Sequence, residues 1–435
     1  INIIIVMKGL LLRIRSRWQR RIPQEQTFSN FADSGRVRVI GLTGGPCGGK
    51  TSALVALSNK IPQMSNYRVV HVPELSTLFH TAGSHYPAQG THDDKLNWDY
   101  EKLKSQLALE DAFRHIAEKS GTSTIILCDR GALDTKLFVS EDDWINLISS
   151  LGYDESELLS RYDAVVHLVT TAIGAEDHYS GTLGNAARRE TLDEAKIQDR
   201  SVRKCWMKHP NFVLISNNPP GSTFEHKLKR TVDAVCSQVG IRTTSESKRQ
   251  WIVVLEHEEF NPPMEEGTIR FQIETDFISS SDTEDACIQR TALVEEDHNV
   301  WPEWDEQWAV GTTYSLHDRS VEIGGAVRRK DVRLNKREWT RFRAATTVGG
   351  QDTISMKRTC FVDNESFWKL DEIVLNVPEK DSNKRGVCLM TLEGADKDDP
   401  RQVLPPFCKK SREVSLLSLR DLRDIDLLEV TSPKT

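Results

Sequence analysis

Gly44-Gly45-Pro46-Cys47-Gly48-Gly49-Lys50-Thr51 carries the pattern G-x-x-x-x-G-K-[ST] at every fixed position. Each fixed residue type has a chemical reason to stand there. Glycines let backbone N–H groups wrap phosphate oxygens, the lysine reaches the outer phosphates, and the hydroxyl beside it is a ligand for magnesium. The helix expected to start here adds the positive end of its dipole. Gly44, Gly45, Pro46, Cys47, Gly48, Gly49, Lys50, Thr51 and Ser52 are therefore the expected contacts of a nucleoside triphosphate, with Thr51 on Mg2+. A β-branched run at 37–40 leads in and a helix-like run follows, which is the context this loop requires.

Three further clusters bear chemistry. The apolar run 124–128 ends in Asp129-Arg130-Gly131, which places a carboxylate where a phosphate-binding loop needs its second magnesium-side group. Asp129 is the expected partner of Thr51, and the Asp-Arg pair resembles that of small-molecule P-loop kinases such as thymidylate and deoxynucleoside kinases. Alternatively, Asp129 caps a strand as a turn begins. Glu74 closes the run 69–72 beside the expected phosphates; it suits a general base toward an acceptor hydroxyl, and equally a structural salt bridge. Residues 185–203 concentrate Arg188, Arg189, Arg200 and Arg203. Arg188 or Arg189 is expected to clamp phosphoryl groups from a lid. The other arginines are expected to pair with Glu190, Asp193, Glu194 and Asp199 on a solvated helix face. After the fifth strand stands Ser216-Asn217-Asn218, with no N-K-x-D signature, so the residues do not name a base.

The elements that must position these groups alternate. Short apolar runs at 37–42, 68–72, 124–128, 164–170 and 212–216 read as buried parallel strands. Helices are expected at 51–61, 100–119, 141–151, 186–209 and 222–239. That is a five-stranded, doubly wound α/β domain over 36–240. The polar stretch 241–249 reads as a linker. Beyond it, over 250–430, strand-like runs at 250–255, 268–278, 286–293, 308–316, 320–327, 353–362, 367–376 and 387–392 predict a mainly antiparallel α+β domain, a sheet or barrel. Helices are expected there only at 336–345 and near the C-terminus.

Composition bounds the rest. A chain of 435 residues has room for two cores. With 38% hydrophobic and 28% charged residues it is not a multi-span membrane protein, and a net charge of −7 argues against a dedicated nucleic-acid binder. The eight cysteines are scattered without metal spacing and read as reduced thiols of a cytoplasmic protein. Segment 1–35 carries Lys8, Arg13, Arg15, Arg17, Arg20 and Arg21 with no acid before Glu25. A disordered basic tail, a membrane-surface helix with peripheral membrane contact, and a mitochondrial presequence all fit it.

Taken together, GGPCGGKT, VVHVPELST, CDRGALD and NAARRETLDEAKIQDRSVRKCWMKHPNFVLISN resemble the NadR-like P-loop domain of the TRPL translocation-defect protein family. RQWIV, IQR, REW, ISMKRTCF and FWKLD are similar to that family's second domain, which is related to the CYTH triphosphate-tunnel fold. The resemblance implies GTP binding, binding of phosphoinositide or phosphatidic acid, and a role in membrane-protein trafficking, with slow hydrolysis as an accompaniment. Tunnel strands alternate acids with Lys and Arg; Arg270, Gln272, Glu274 and Asp276 do so against Ile269, Phe271, Ile273 and Phe277. Such alternation also marks any half-exposed strand. The E-x-E-x-K run of tunnel phosphatases is missing, which argues against triphosphate hydrolysis by the second domain; a phosphohydrolase acting there is the third reading. Arg290, Lys357, Arg358 and Lys369 are the expected anion-binding residues there, for a phospholipid headgroup or phosphate. The alternative is a P-loop kinase that uses ATP to phosphorylate a nucleoside-like acceptor through Glu74 or Asp129, with Arg130, Arg188 and Arg189 in support.

Overall fold

The computed structural model describes residues 37–179, 190–217, 222–241, 243, 248–254, 267–277, 285–294, 312–321, 327–334, 339–340, 343, 353–374, 387–395, 404–405, 408 and 410–414. Within them the most apolar runs form the centre of a parallel sheet: β1 (Val37–Thr43), β2 (Arg68–Val72), β3 (Thr124–Asp129), β4 (Ala164–Leu168) and β5 (Phe212–Ile215), in the order β2-β3-β1-β4-β5. Strands covered on both faces have no solvated side to mark with polar residues, which is why β4 reads AVVHL and is buried throughout. Register sets Leu42 beside Asp129 and Thr43 beside His167, so the carboxyl ends of β1, β3 and β4 converge where the strand order reverses. Open α/β sheets bind ligands at such a point.

The helices are α1 (Lys50–Met64), α2 (Leu75–Thr81), α3 (His92–Ser120), α4 (Glu141–Ser150), α5 (Glu155–Leu159), α6 (Leu192–Trp206) and α7 (Phe224–Val239), with a 3-10 helix at Ala132–Phe138. One face of the sheet packs α1 and α7 through Leu54, Leu57, Val232 and Val235; the other packs Leu103, Leu107, Trp144 and Trp206. Side-chain caps set the starts that periodicity misplaced. Thr91 and Asp94 form a capping box, so α3 begins at His92 rather than 100; Thr191 and Glu194 do the same, so α6 begins at Leu192 rather than 186.

Among the described residues, nine antiparallel strands form the second sheet: β6 (Lys248–Val254), β7 (Ile269–Phe277), β8 (Asp285–Val294), β9 (Thr313–Val321), β10 (Val327–Leu334), β11 (Thr353–Asp363), β12 (Ser366–Val374), β13 (Val387–Glu393) and β14 (Lys410–Val414). Their order is β10-β9-β8-β7-β11-β12-β13-β6-β14. The fold is thus a doubly wound α/β domain followed by a separate antiparallel sheet. Two readings of the sequence need correction. The strand expected at 320–327 lies at Val327–Leu334, whose sequence VRRKDVRL has no apolar alternation to announce it. The stretch expected to be all linker gives Lys248 and Arg249 to β6. The expected C-terminal helix and segment 1–35 lie outside the described residues; of 336–345, residues 339, 340 and 343 are helical.

Candidate phosphate site and its surroundings

The loop between β1 and α1 turns through backbone conformations that side chains resist. Gly44 has φ 136° and Gly49 φ 91°, and Cys47, at φ 56°, occupies the left-handed region without being glycine. Space is as restrictive as torsion. A Cβ on Gly44 would lie 2.1 Å from the Leu168 carbonyl oxygen, and one on Gly48 2.5 Å from the same atom, so the loop lies directly against the end of β4. Lys50 folds back, with Nζ donating to the carbonyls of Gly44 and Gly45 at 2.9 Å each. Burial, reinforced by Arg130, lowers Lys50 to about 8. Thr51 and Ser52 are exposed at the start of α1.

What fastens this loop is Asp199 of α6. Its Oδ1 accepts from Gly45 N (2.9 Å) and Thr170 N (2.8 Å), and its Oδ2 lies 3.1 Å from His167 Nε2 and 3.8 Å from Arg203 Nη2. The Thr170 hydroxyl also donates to the Pro46 carbonyl. Asp199 and Arg203 are fully buried, which corrects their expected place on a solvated helix face. The charge pattern of α6 concealed this, because an i,i+4 Asp–Arg pair reads alike on either face of a helix. Only the spacing of Ala195, Val202 and Trp206, which share the buried side with Asp199, could have revealed it.

Glu74, Asp129 and Arg130 line one cavity. Arg130 adopts φ 70°, and its Nε donates to Glu74 Oε1 at 2.5 Å while Thr77 donates to Oε2 at 2.7 Å. Burial alone would raise Glu74, but Arg130 and these bonds hold it at about 2. Burial and the charge of Glu74 push Asp129 the other way, to about 6. Asp134 anchors the turn: it accepts from Thr43 Oγ1 (2.5 Å) and Gly131 N (2.6 Å) and stands 3.6 Å from Arg130. Behind it, Tyr162 donates to Glu110, which also holds Arg161, and accepts from Ala132 N. Strain of this kind persists only where the surroundings over-determine the backbone.

These groups line one cavity of about 1520 Å³. It runs from Pro46–Ser52 past Glu74, Asp129 and Arg130 to an aromatic end formed by Tyr86, Trp98 and Phe138. Tyr86 and Phe79 both pack edge-on to Trp98, and Lys102 Nζ lies 5.1 Å from the rings of Trp98 and Phe138. On the opposite rim, Lys227 donates to the Val169 carbonyl (2.6 Å) and Asn217 (2.7 Å), and Asn217 Nδ2 donates to Thr170 O (2.6 Å) and Ile173 O (2.7 Å). No motif announced Lys227 or Asn217. Arg188 and Arg189 lie outside the described residues.

In the second domain, strand alternation divides the four expected anion ligands. Arg290 stands opposite Glu274, and Lys357 opposite Gln272, on one face of the sheet. Arg358 and Lys369, opposite Asp371 and Cys360, belong to the other face. Arg358 is held by both oxygens of Asp371 (2.6 and 2.8 Å), Arg290 by Glu274 (2.6 Å), and Lys369 is buried with Nζ 3.4 Å from the Pro210 carbonyl. The structure therefore does not bring the four together. Arg270, Glu274, Asp276, Arg290 and Lys357 share a face by register, and Arg343 reaches Asp276 at 3.2 Å.

A family model described as an AAA domain matches residues 39–223. No curated protein matches the chain. Among solved structures, the chain is similar to the NadR protein in complex with NR, at 14% identity and TM-score 0.31 over 48% of this chain and 54% of that one. It is similar to thymidylate kinase from Ehrlichia chaffeensis at 13% identity and TM-score 0.28, over 46% and 97%. A chain of the Schizosaccharomyces pombe Mediator head module matches at 9% identity and TM-score 0.23, over 36% and 85%. Likenesses this distant say nothing of activity. The loop at Gly44–Thr51 and the matched span make the first domain a P-loop nucleotide-binding domain. Among the described residues no helix is long and apolar enough to cross a membrane.

Proposed function

We propose that this chain is a magnesium-dependent nucleotide-binding regulator, with GTP as its nucleotide and an anionic phospholipid, phosphoinositide or phosphatidic acid, as ligand of its second domain, acting in membrane-protein trafficking. Domains at 36–240 and 250–430 belong to the same proposal. The observation that carries it is the pairing of an intact phosphate loop with a Glu74 already taken by Arg130 and Thr77. The loop supplies Lys50 and Thr51 toward a triphosphate, whereas Glu74, one of the two carboxylates a kinase could use as base, is tied and held at about 2, far from the pKa of an efficient base at neutral pH; the other, Asp129, is assigned to Mg2+ in this reading. Thr51 and Asp129 line the cavity and offer only oxygen donors, which suits Mg2+. Mg2+ would lend charge to the phosphates there. Guanine and the lipid rest on the family resemblance, supported by the Arg270, Arg290 and Lys357 face.

A second reading, a P-loop kinase that uses ATP to phosphorylate a nucleoside-like acceptor, is favoured by the aromatic end of the cavity at Tyr86, Trp98 and Phe138. Calorimetric titration with GTP and ATP, each with magnesium, followed by a product assay, separates the two. Tight GTP binding with little turnover supports the regulator; ATP preference with stoichiometric transfer to an added nucleoside replaces it by the kinase. Lys50→Ala is expected to abolish nucleotide binding and leave any phospholipid-vesicle binding intact.

A further inference from the structure

The phosphate loop and the second domain are joined by a short chain of polar contacts that passes through the buried Asp199 and Arg203. Asp199 accepts from Gly45 N at 2.9 Å; one helical turn later Arg203 stands 3.8 Å from Asp199 and donates through Nη1 to Glu365 Oε2 at 2.9 Å. Glu365 belongs to the two-residue turn between β11 and β12, where Asp363 faces Ser366. Asn364 and Glu365 have φ 49° and 56°, the left-handed pair that a tight hairpin turn requires, here without glycine. The hairpin is seated, not dangling. Phe367 packs edge-on to Phe212 of β5 with centroids 4.9 Å apart, and a Cβ on Gly394 would lie 2.6 Å from the Leu214 carbonyl. Ile269, Phe271, Met356 and Phe367 share one apolar core with Trp206 and Phe212.

At the loop end of this chain, Lys50 Nζ donates to the carbonyls of Gly44 and Gly45, and Asp199 holds the Gly45 N–H, so both groups act on the same stretch of loop backbone. A triphosphate competes with those carbonyls for the ammonium and so acts on the peptide that Asp199 fastens. We propose that Asp199, Arg203 and Glu365 transmit the occupancy of the phosphate loop to the β11–β12 hairpin, and that the hairpin in turn sets nucleotide affinity. Arg203 is the positioning residue at the junction. Linkage makes the effect reciprocal: whatever the phosphates do to the hairpin, the hairpin does to the phosphates by the same factor. The inference rests on the reading that the loop binds a nucleoside triphosphate.

The test uses the full chain and Glu365→Gln, a change at a partly exposed turn remote from the cavity lining. Affinity for magnesium GTP and magnesium ATP is measured by calorimetry, and amide hydrogen exchange over 361–368 is followed with and without nucleotide. Wild type is expected to show nucleotide-dependent protection of the hairpin. Glu365→Gln is expected to lose that difference and to bind nucleotide at least fivefold more weakly, at the lower end of ordinary coupling factors. Nucleotide binding by wild type with an unchanged hairpin, and unchanged affinity in the variant, overturns the coupling alone. Failure of wild type to bind either nucleotide overturns both the coupling and the phosphate-site reading. A purely structural role for Glu365 would lower stability yet leave the nucleotide-dependent exchange difference in place, and that outcome also overturns it.

Discussion

Asp199→Ala strips two buried backbone donors of their acceptor and a buried guanidinium of one of its acidic partners. The donors are the N–H groups of Gly45 and Thr170, 2.9 and 2.8 Å from Oδ1, and the guanidinium is Arg203, 3.8 Å from Oδ2. A buried donor left unpaired costs about 1–3 kcal/mol, and deleting one partner of a buried ion pair costs about 3–5 kcal/mol. The losses overlap, because Arg203 keeps Glu365, so the expected destabilisation is about 4 kcal/mol, a large part of an ordinary domain's stability. Asp199→Asn keeps an oxygen for both N–H groups and removes only the charge, for about 2 kcal/mol. Urea unfolding midpoints measure both. A pH arm sharpens the test. Burial alone would raise Asp199, but His167, Arg203 and the Thr170 N–H hold its carboxyl well below the usual range. A carboxylate so depressed contributes stability above its unfolded value of about 3.9 and loses it as pH falls toward the folded one. Wild type should therefore lose more stability than Asp199→Asn on acidification below roughly pH 4. Equal losses in the two variants, or parallel acid profiles, would refute the assignment of Asp199 as the charged fastener of the loop.

Two further outcomes follow from the same geometry. Because Lys50 is lowered to about 8, nucleotide binding above that pH must recharge it, and the association constant should fall about tenfold per pH unit until the bound-state value is reached; an affinity flat across this range contradicts the placement of Lys50. A Cβ on Gly131 would sit 2.4 Å from Trp206 Cζ2, so Gly131→Ala should cost about 1–3 kcal/mol by overpacking, visible as a lower Tm, although the backbone there suits any residue.

The parallel sheet was legible because burial on both faces leaves an unmixed apolar run, as in β3 and β4. The phosphate loop was legible because its glycines answer to torsion and contact at once, as Gly44 does against Leu168. Asp199, Lys227 and Asn217 were not, since their partners are backbone groups brought near only by the fold: Gly45, Val169 and Thr170 lie far away in sequence. In the second domain, alternation located β7 and β11 but could not say which face each would turn to its neighbours. Lys357 and Arg358, adjacent in the chain, therefore ended on opposite sides. Strand β10, charged from Arg328 through Asp331 and again at Arg333, gave no apolar pattern to follow.

Glu74 is one of the two candidate bases, with Asp129, on which the kinase reading depends. If it were a working base, Glu74→Gln would remove a proton acceptor from the transition state and slow phosphoryl transfer by about 100- to 10,000-fold. In the structure Glu74 instead neutralises Arg130, whose left-handed backbone at φ 70° is held by the Leu42 carbonyl and Gln106 and whose guanidinium also stands 3.6 Å from Asp134. Glutamine keeps an oxygen for Arg130 but loses the charge. With both groups about a quarter exposed, the pair contributes less than a buried one, so the variant should lose about 1 kcal/mol of stability. Nucleotide affinity and any slow hydrolysis should stay within a few-fold of wild type. Asp129 should titrate lower in the variant, because burial raises it together with the charges of Glu74 and Asp134. A collapse of turnover with stability intact would show that Glu74 leaves Arg130 when substrate arrives, and the kinase reading would then hold.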